Sequence, residues 1–89
     1  MFRVEWRSIA LNDLAQAWIE ADSELRELIA QASQVVDRRL AQTPETAGES
    51  RSEGRRVMFV YPLTVQFRFE ERLSLVTVIG VRVYHRRRP

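Results

Sequence analysis

The sequence contains no cysteine, so it forms no disulfide, holds no zinc through thiolates and offers no cysteine nucleophile. It contains no lysine either, and all 14 basic residues are arginine. A single histidine, His85, excludes a multi-histidine metal site, and neither a metal nor a cofactor is expected. The longest apolar stretches, Val57–Leu63 and Leu75–Val81, are seven residues each. A helix that spans a membrane needs about 20, so no membrane is expected as a partner. No charged-then-apolar leader opens the chain, which predicts a cytoplasmic protein.

What is present is an ordinary globular mixture: 89 residues, 45% of them hydrophobic and 29% charged. That length is enough for one domain, spanning 1–89, with its own core. The net charge of +2 conceals an uneven distribution. Residues 1–49 carry five arginines against nine carboxylates, and residues 50–89 carry nine arginines against three. A basic half points to an anionic partner, nucleic acid being the usual one. Arginine suits that role because its planar fork meets two phosphate oxygens at once.

Hydrophobic periodicity orders the chain. Phe2, Val4 and Trp6 alternate with charged residues, which predicts a strand over 2–7. Ser8 is placed to cap a helix, and Leu11, Leu14, Ala15 and Trp18 form its apolar stripe. Trp6 and Trp18 are expected in the core, and Ile19 at the stripe's edge. Asp22 and Ser23 restart a second helix, with Leu25, Leu28, Ile29, Ala32, Val35, Val36 and Leu40 on one face and Pro44 marking its end. The segment 8–42 is thus a helical hairpin. Residues 43–54 hold no large apolar side chain and read as a surface loop. Three closely spaced strands fill 55–84, at Arg55–Tyr61, Leu63–Glu70 and Leu73–Tyr84, and 85–89 is a basic tail. The last strand is apolar on both faces, so it is expected inside the sheet, with the first strand at its free side. The predicted class is α+β, in the order β-α-α-β-β-β. A helical hairpin packs on one face of a mostly antiparallel four-stranded sheet.

These residues resemble the RelE/ParE superfamily, the toxins of bacterial type II toxin–antitoxin systems. The likeness runs through Val4-Glu5-Trp6, then Ala10-Leu11-Asn12-Asp13-Leu14-Ala15 and the charged second helix. It continues through Pro62-Leu63-Thr64-Val65-Gln66-Phe67-Arg68-Phe69 to the valine-rich last strand and its basic end. The resemblance implies a toxin neutralised by a cognate antitoxin, here an acidic segment that folds on binding. It also implies one of two targets: the ribosome with its mRNA, or DNA gyrase.

Cleavage of RNA by its own 2′-OH needs a base, cationic donors for the phosphate and an acid for the leaving oxygen. Tyr84-His85 is similar to the Tyr-His pair that ends the last strand of YoeB-like toxins, where the histidine is the acid; an ordinary histidine titrates near pH 6.5. Glu49 lies in the loop where those toxins carry a catalytic glutamate. RelE and YoeB place a phosphate-binding arginine where this chain has Thr64, which brings no charge. Arg68 stands on the same strand face but about 13 Å further along. The replacement charge is therefore sought at Arg55 or Arg56 and at Arg82; Arg56 and Arg82 are grouped with Tyr84, His85 and Glu49 as catalytic candidates. Of the adjacent Arg55 and Arg56, only one can point to a given face. Arg55, Arg68, Arg86, Arg87 and Arg88 are candidate phosphate contacts. The first functional reading is a ribosome-dependent mRNA endoribonuclease that inhibits translation. The alternative, favoured by Thr64, is a non-enzymatic ParE-like gyrase inhibitor or an inactive toxin-like protein. A small nucleic-acid- or protein-binding domain with no toxin role is a more remote reading.

Overall fold

Alternation of Val4 and Trp6 with Arg3 and Glu5 builds the first strand, β1 (Arg3–Trp6). In the computed structural model, which describes residues 1–84, β1 leads into helix α1 (Ser8–Glu20) and helix α2 (Ser23–Gln42). Four strands follow: β2 (Glu49–Ser50), β3 (Arg56–Val60), β4 (Leu63–Glu70) and β5 (Leu75–Val83). Short 3₁₀ turns occupy Ser52–Gly54 and Glu71–Leu73. All five strands form one sheet in the order β1-β5-β4-β3-β2. β1 runs parallel to β5, and the other pairs are antiparallel. The long apolar strand is therefore internal, and the first strand takes its free side, as the pattern predicts.

The helices cover a single face. On it Met58, Leu63, Val65, Phe67, Val76, Val78 and Val81 meet Ile29, Ala32, Val36 and Leu40 of α2 in the core. The α2 stripe is thus the one its periodicity predicts. Asp22 caps α2 by accepting from the Leu25 amide at 2.9 Å. Trp6 is half-buried, and its indole N–H donates to Asp37 of α2 at 2.9 Å, tying the outer strand to the helix.

Three expectations are corrected. Arg7, not Ser8, is the cap residue of α1, and no side chain caps that end. The reason is that the Arg7 amide still serves the sheet, donating to the Val78 carbonyl at 3.0 Å. Secondly, α1 turns Ala10, Leu14, Ala17 and Ala21 toward the sheet, while Leu11 and Trp18 are 50% and 41% exposed. Small residues let α1 lie close on β5, so its bulkier stripe is rotated away toward α2 and solvent. Trp18 is consequently a surface ring, with the Arg26 guanidinium 5.7 Å from its centroid. Arg26 also donates at 2.8 Å to the Trp18 carbonyl, which accepts from the Ala21 amide at 3.2 Å as well, so the end of α1 is held from two sides.

Thirdly, the sheet has five strands rather than four, because the segment expected as a plain loop contributes β2. Two local features seat it. Gly48 sits at φ +68°, and a Cβ there would run into the Val57 carbonyl, so only glycine lets the chain come this close. Arg56 then reaches back over the segment, donating to the carbonyls of Ala47 (3.2 Å) and Gly48 (3.0 Å) and to the Ser50 hydroxyl (2.8 Å).

Candidate functional site

Side chains of paired strand residues share a face, so the register defines the sheet surface that the helices leave open. Val65 and Phe67 of β4 are buried under the helices, which puts Thr64, Gln66 and Arg68 on the open side. Their partners are Phe59 and Arg82 beside Thr64, Val57 and Gly80 beside Gln66, and Thr77 beside Arg68. Glu49, opposite Val57, extends the middle row onto β2. At Gly80 no side chain rises and the space above is empty, leaving bare backbone as the floor. The β4–β5 register slips between Gln66 and Phe67, and such an irregularity sharpens local twist.

One end of this face gathers the chemistry. Arg82 stands directly across the ladder from Thr64; side chains so paired have Cβ atoms about 4.5–5.5 Å apart. Tyr84 follows two residues later on the same side. Its amide donates to the Pro62 carbonyl at 2.7 Å, continuing the ladder past the strand's end. Tyr84 is 63% exposed and Phe59, on the far side of Thr64, is 64% exposed. Phe59 escapes burial because β2 pairs only with Arg56 and Val57, so the edge of β3 beside Phe59 is uncovered. Among the described residues, neither Arg82 nor Arg68 is paired with a carboxylate, whereas Arg3, Arg51 and Arg55 are paired with Glu5, Glu49 and Glu53.

The remaining candidates are dispersed. Arg56 lies on the opposite face from Arg82, held in its three hydrogen bonds to 47–50. Arg55, one residue earlier in extended backbone, is therefore the member of the pair that faces the open side. Continuing the register sets Arg55 level with Arg68, at the far end of the face from Arg82. Glu49 is on the right face but three strands from β5, about 14 Å across at the usual strand spacing. It is also engaged by Arg51 at 3.1 Å. The structure thus joins Arg82 with Tyr84 and Thr64, and does not bring Glu49 or Arg56 to them. His85, Arg86, Arg87 and Arg88 lie outside the described residues. Phe59 is the residue that sequence reasoning missed. It sits in an unbroken apolar run, Val57-Met58-Phe59-Val60, where alternation gives no face, and only its pairing with Thr64 places it.

On its other flank Arg82 borders a cleft between the helical hairpin and the end of β5, lined also by Asp13, Glu20, Asp22 and Glu24. Four carboxylates repel an anion, so the open sheet is the side from which a phosphate can approach Arg82. Between the helices, Leu11, Leu14, Ala15, Trp18 and Ile19 of α1 and Ile29, Ala30 and Ser33 of α2 line a shallow apolar groove. Among the described residues no group of three or more metal-ligating side chains converges. No described helix is long and apolar enough to cross a membrane.

No protein-family model matches the sequence, and no curated protein is significantly similar to it. Solved structures are similar in fold. A chain of the RelBE2 toxin–antitoxin complex from Mycobacterium tuberculosis superposes with a TM-score of 0.73 at 16% identity, covering 92% of this chain and 90% of that one. A chain of the chromosomal ParDE TA system of P. aeruginosa gives 0.70 at 18% identity, over 96% and 98%. The isolated E. coli RelE toxin gives 0.64 at 17% identity, over 98% and 88%. The helical hairpin packed on a mostly antiparallel mixed sheet is consistent with the RelE-like topology of these structures.

Proposed function

We propose that this chain, built on the RelE/ParE fold, is the toxin of a toxin–antitoxin pair and acts as a ribosome-dependent mRNA endoribonuclease in the cytoplasm. The observation that carries the reading is the Thr64–Arg82 pair. The family's phosphate-binding arginine is missing from β4, and an arginine without a carboxylate partner stands opposite the gap, one strand away. A charge moved across a ladder rung displaces the guanidinium by only the width of the sheet spacing, within the reach of a long side chain. Arg82 then stabilises the charge that builds on the phosphate during attack by the 2′-OH. The Thr64 hydroxyl supplies one neutral hydrogen bond beside it. Tyr84 is positioned on the same side, and His85 next to it in sequence is the candidate acid for the leaving 5′ oxygen.

The partner on this reading is an antitoxin segment with apolar anchors and acidic residues, which folds on contact. The groove that exposes Leu11, Trp18 and Ile19 fits its apolar side chains, and the arginine-rich half fits its charge.

The test is induction in a bacterial host with labelled leucine and thymidine, followed by mapping of mRNA ends. Leucine incorporation stopping first, with new 5′ ends within translated codons, is the expected result. Arg82→Ala removes both effects. A second reading, ParE-like gyrase inhibition, is favoured by the dispersal of Glu49 and Arg56 away from Arg82, which leaves few acid–base groups around the phosphate position. Thymidine incorporation stopping first, with mRNA intact and Arg82→Ala still toxic, establishes that reading instead.

A further inference from the structure

Phe59 is an aromatic ring 64% exposed on a sheet that buries its apolar neighbours Val57 and Met58. It shares a cross-strand row with Thr64 and Arg82. Tyr84, 63% exposed, lies two residues beyond Arg82, just past the end of β5, outside the row but on the same side. One ring two strands away and one two residues along the chain thus share the open face with a guanidinium that has no carboxylate partner among the described residues. A lone exposed ring needs no explanation, but this grouping has a specific chemical meaning. Surfaces that hold unpaired nucleotides combine cationic groups for the backbone with aromatic faces on which bases stack. Duplex bases are already stacked and paired, so such a surface selects single strands. The charge complementarity favours this occupant over an apolar peptide, which would leave Arg82 desolvated and unpaired.

We infer that Phe59 is a base-stacking residue: it receives an unpaired base of single-stranded RNA while Arg82 holds the adjacent phosphate. This rests on the reading of the open face as an RNA-binding surface. Phe59 acts in substrate positioning and moves no proton. Its contribution depends on the aromatic plane, not on bulk, and is tolerant of sequence because every base has a π face.

The test uses the full-length chain and a 2′-O-methylated nine-nucleotide strand, which binds but cannot be cut by its own 2′-OH. Affinities for the strand and for the same strand in a duplex are measured by fluorescence anisotropy. Phe59→Ala and Phe59→Leu are expected to weaken single-strand binding by about 5- to 150-fold, the range that one base–aromatic stack supports. Duplex binding stays unchanged, and Phe59→Tyr keeps the affinity of the parent. Phe59→Trp keeps it too and adds indole emission that the strand quenches, with the parent's Trp6 and Trp18 signal as the control. The salt dependence separates the two contacts. Phe59→Ala leaves the slope of log affinity against log salt unchanged, and Arg82→Ala lowers it by about 0.7. Parent and Phe59→Leu binding the strand equally well overturns the stacking role and leaves the RNA reading standing. A parent chain that binds no single strand overturns the stacking role, and the ribosome-dependent reading is then decided separately by the mapping of mRNA ends. Phe59→Ala that releases a co-purifying protein while RNA affinity is untouched marks the face as a protein-docking surface, which also overturns the inference.

Discussion

The two faces of the sheet are made from alternate residues of the same strands, and they behave differently. Under the helices, Val65, Phe67, Val76 and Val78 are completely buried, and Arg56, on that same side, spends its donors on Ala47, Gly48 and Ser50. On the open side, one residue away in each strand, Arg68 and Arg82 have no carboxylate partner among the described residues, and Phe59 and Tyr84 are exposed. Burial demands that polar groups be satisfied within the chain; solvent does not. The closed face therefore fixes the fold, and the open face is left free to bind. The pair Arg56 and Arg82 shows the difference within one residue type, since the same guanidinium is a structural clasp on one side and an available cation on the other.

The comparison can be broken most severely from the closed side. Phe67→Ala empties the centre of the core and is expected to lower stability by about 3–5 kcal/mol, read as a shifted urea midpoint; toxicity then falls because the fold is lost. Arg82→Ala comes next and is its opposite. The expected loss is about 100- to 1,000-fold in cleavage rate, with an unchanged urea midpoint. Thr64→Arg sharpens the same point. It puts a second cation beside Arg82 and, on the proposed function, is expected to raise ribosome-dependent cleavage, while like charges across the ladder cost under about 1 kcal/mol. Arg56→Ala should cost about 1–2 kcal/mol and speed amide exchange over residues 47–50, with cleavage per folded molecule retained. If Arg56→Ala abolished cleavage in a stable protein, the division between the faces would be wrong. The smallest effect is assigned to Glu49→Gln. Removing its exposed pair with Arg51 changes stability by less than about 1 kcal/mol, and its distance from Arg82 predicts cleavage within a few-fold of the parent.

Much of the fold was legible because periodicity maps directly onto burial where one face of an element is wet and the other dry. The α2 stripe, the alternation in β4 and the interior place of the doubly apolar β5 all followed from that rule. It failed for α1, where Leu14 alone of the expected stripe packs against the core. Close packing on β5 selected the small residues Ala10, Ala17 and Ala21 for contact, and a side-chain pattern does not reveal how near two backbones come. It failed also for β2, where two polar residues join a sheet because a glycine and an arginine hold them there. The candidate site was legible only in part for a related reason. Arg82 and Tyr84 are two apart on one strand, so alternation alone sets them together. Adjacency of Arg55 and Arg56 showed that one of them faces away, but not which.

The sequence by itself determined the order of elements, the apolar surface of α2 and β4 and the arginine-rich second half. These are properties of residue type and spacing along the chain, which local geometry converts into faces. Only the tertiary structure decided that Arg82 stands across from Thr64, that Phe59 belongs to the same row, that Glu49 lies strands away and that Arg56 serves the fold. Each of those depends on strand register, and register is set by long-range packing of the sheet against the helices.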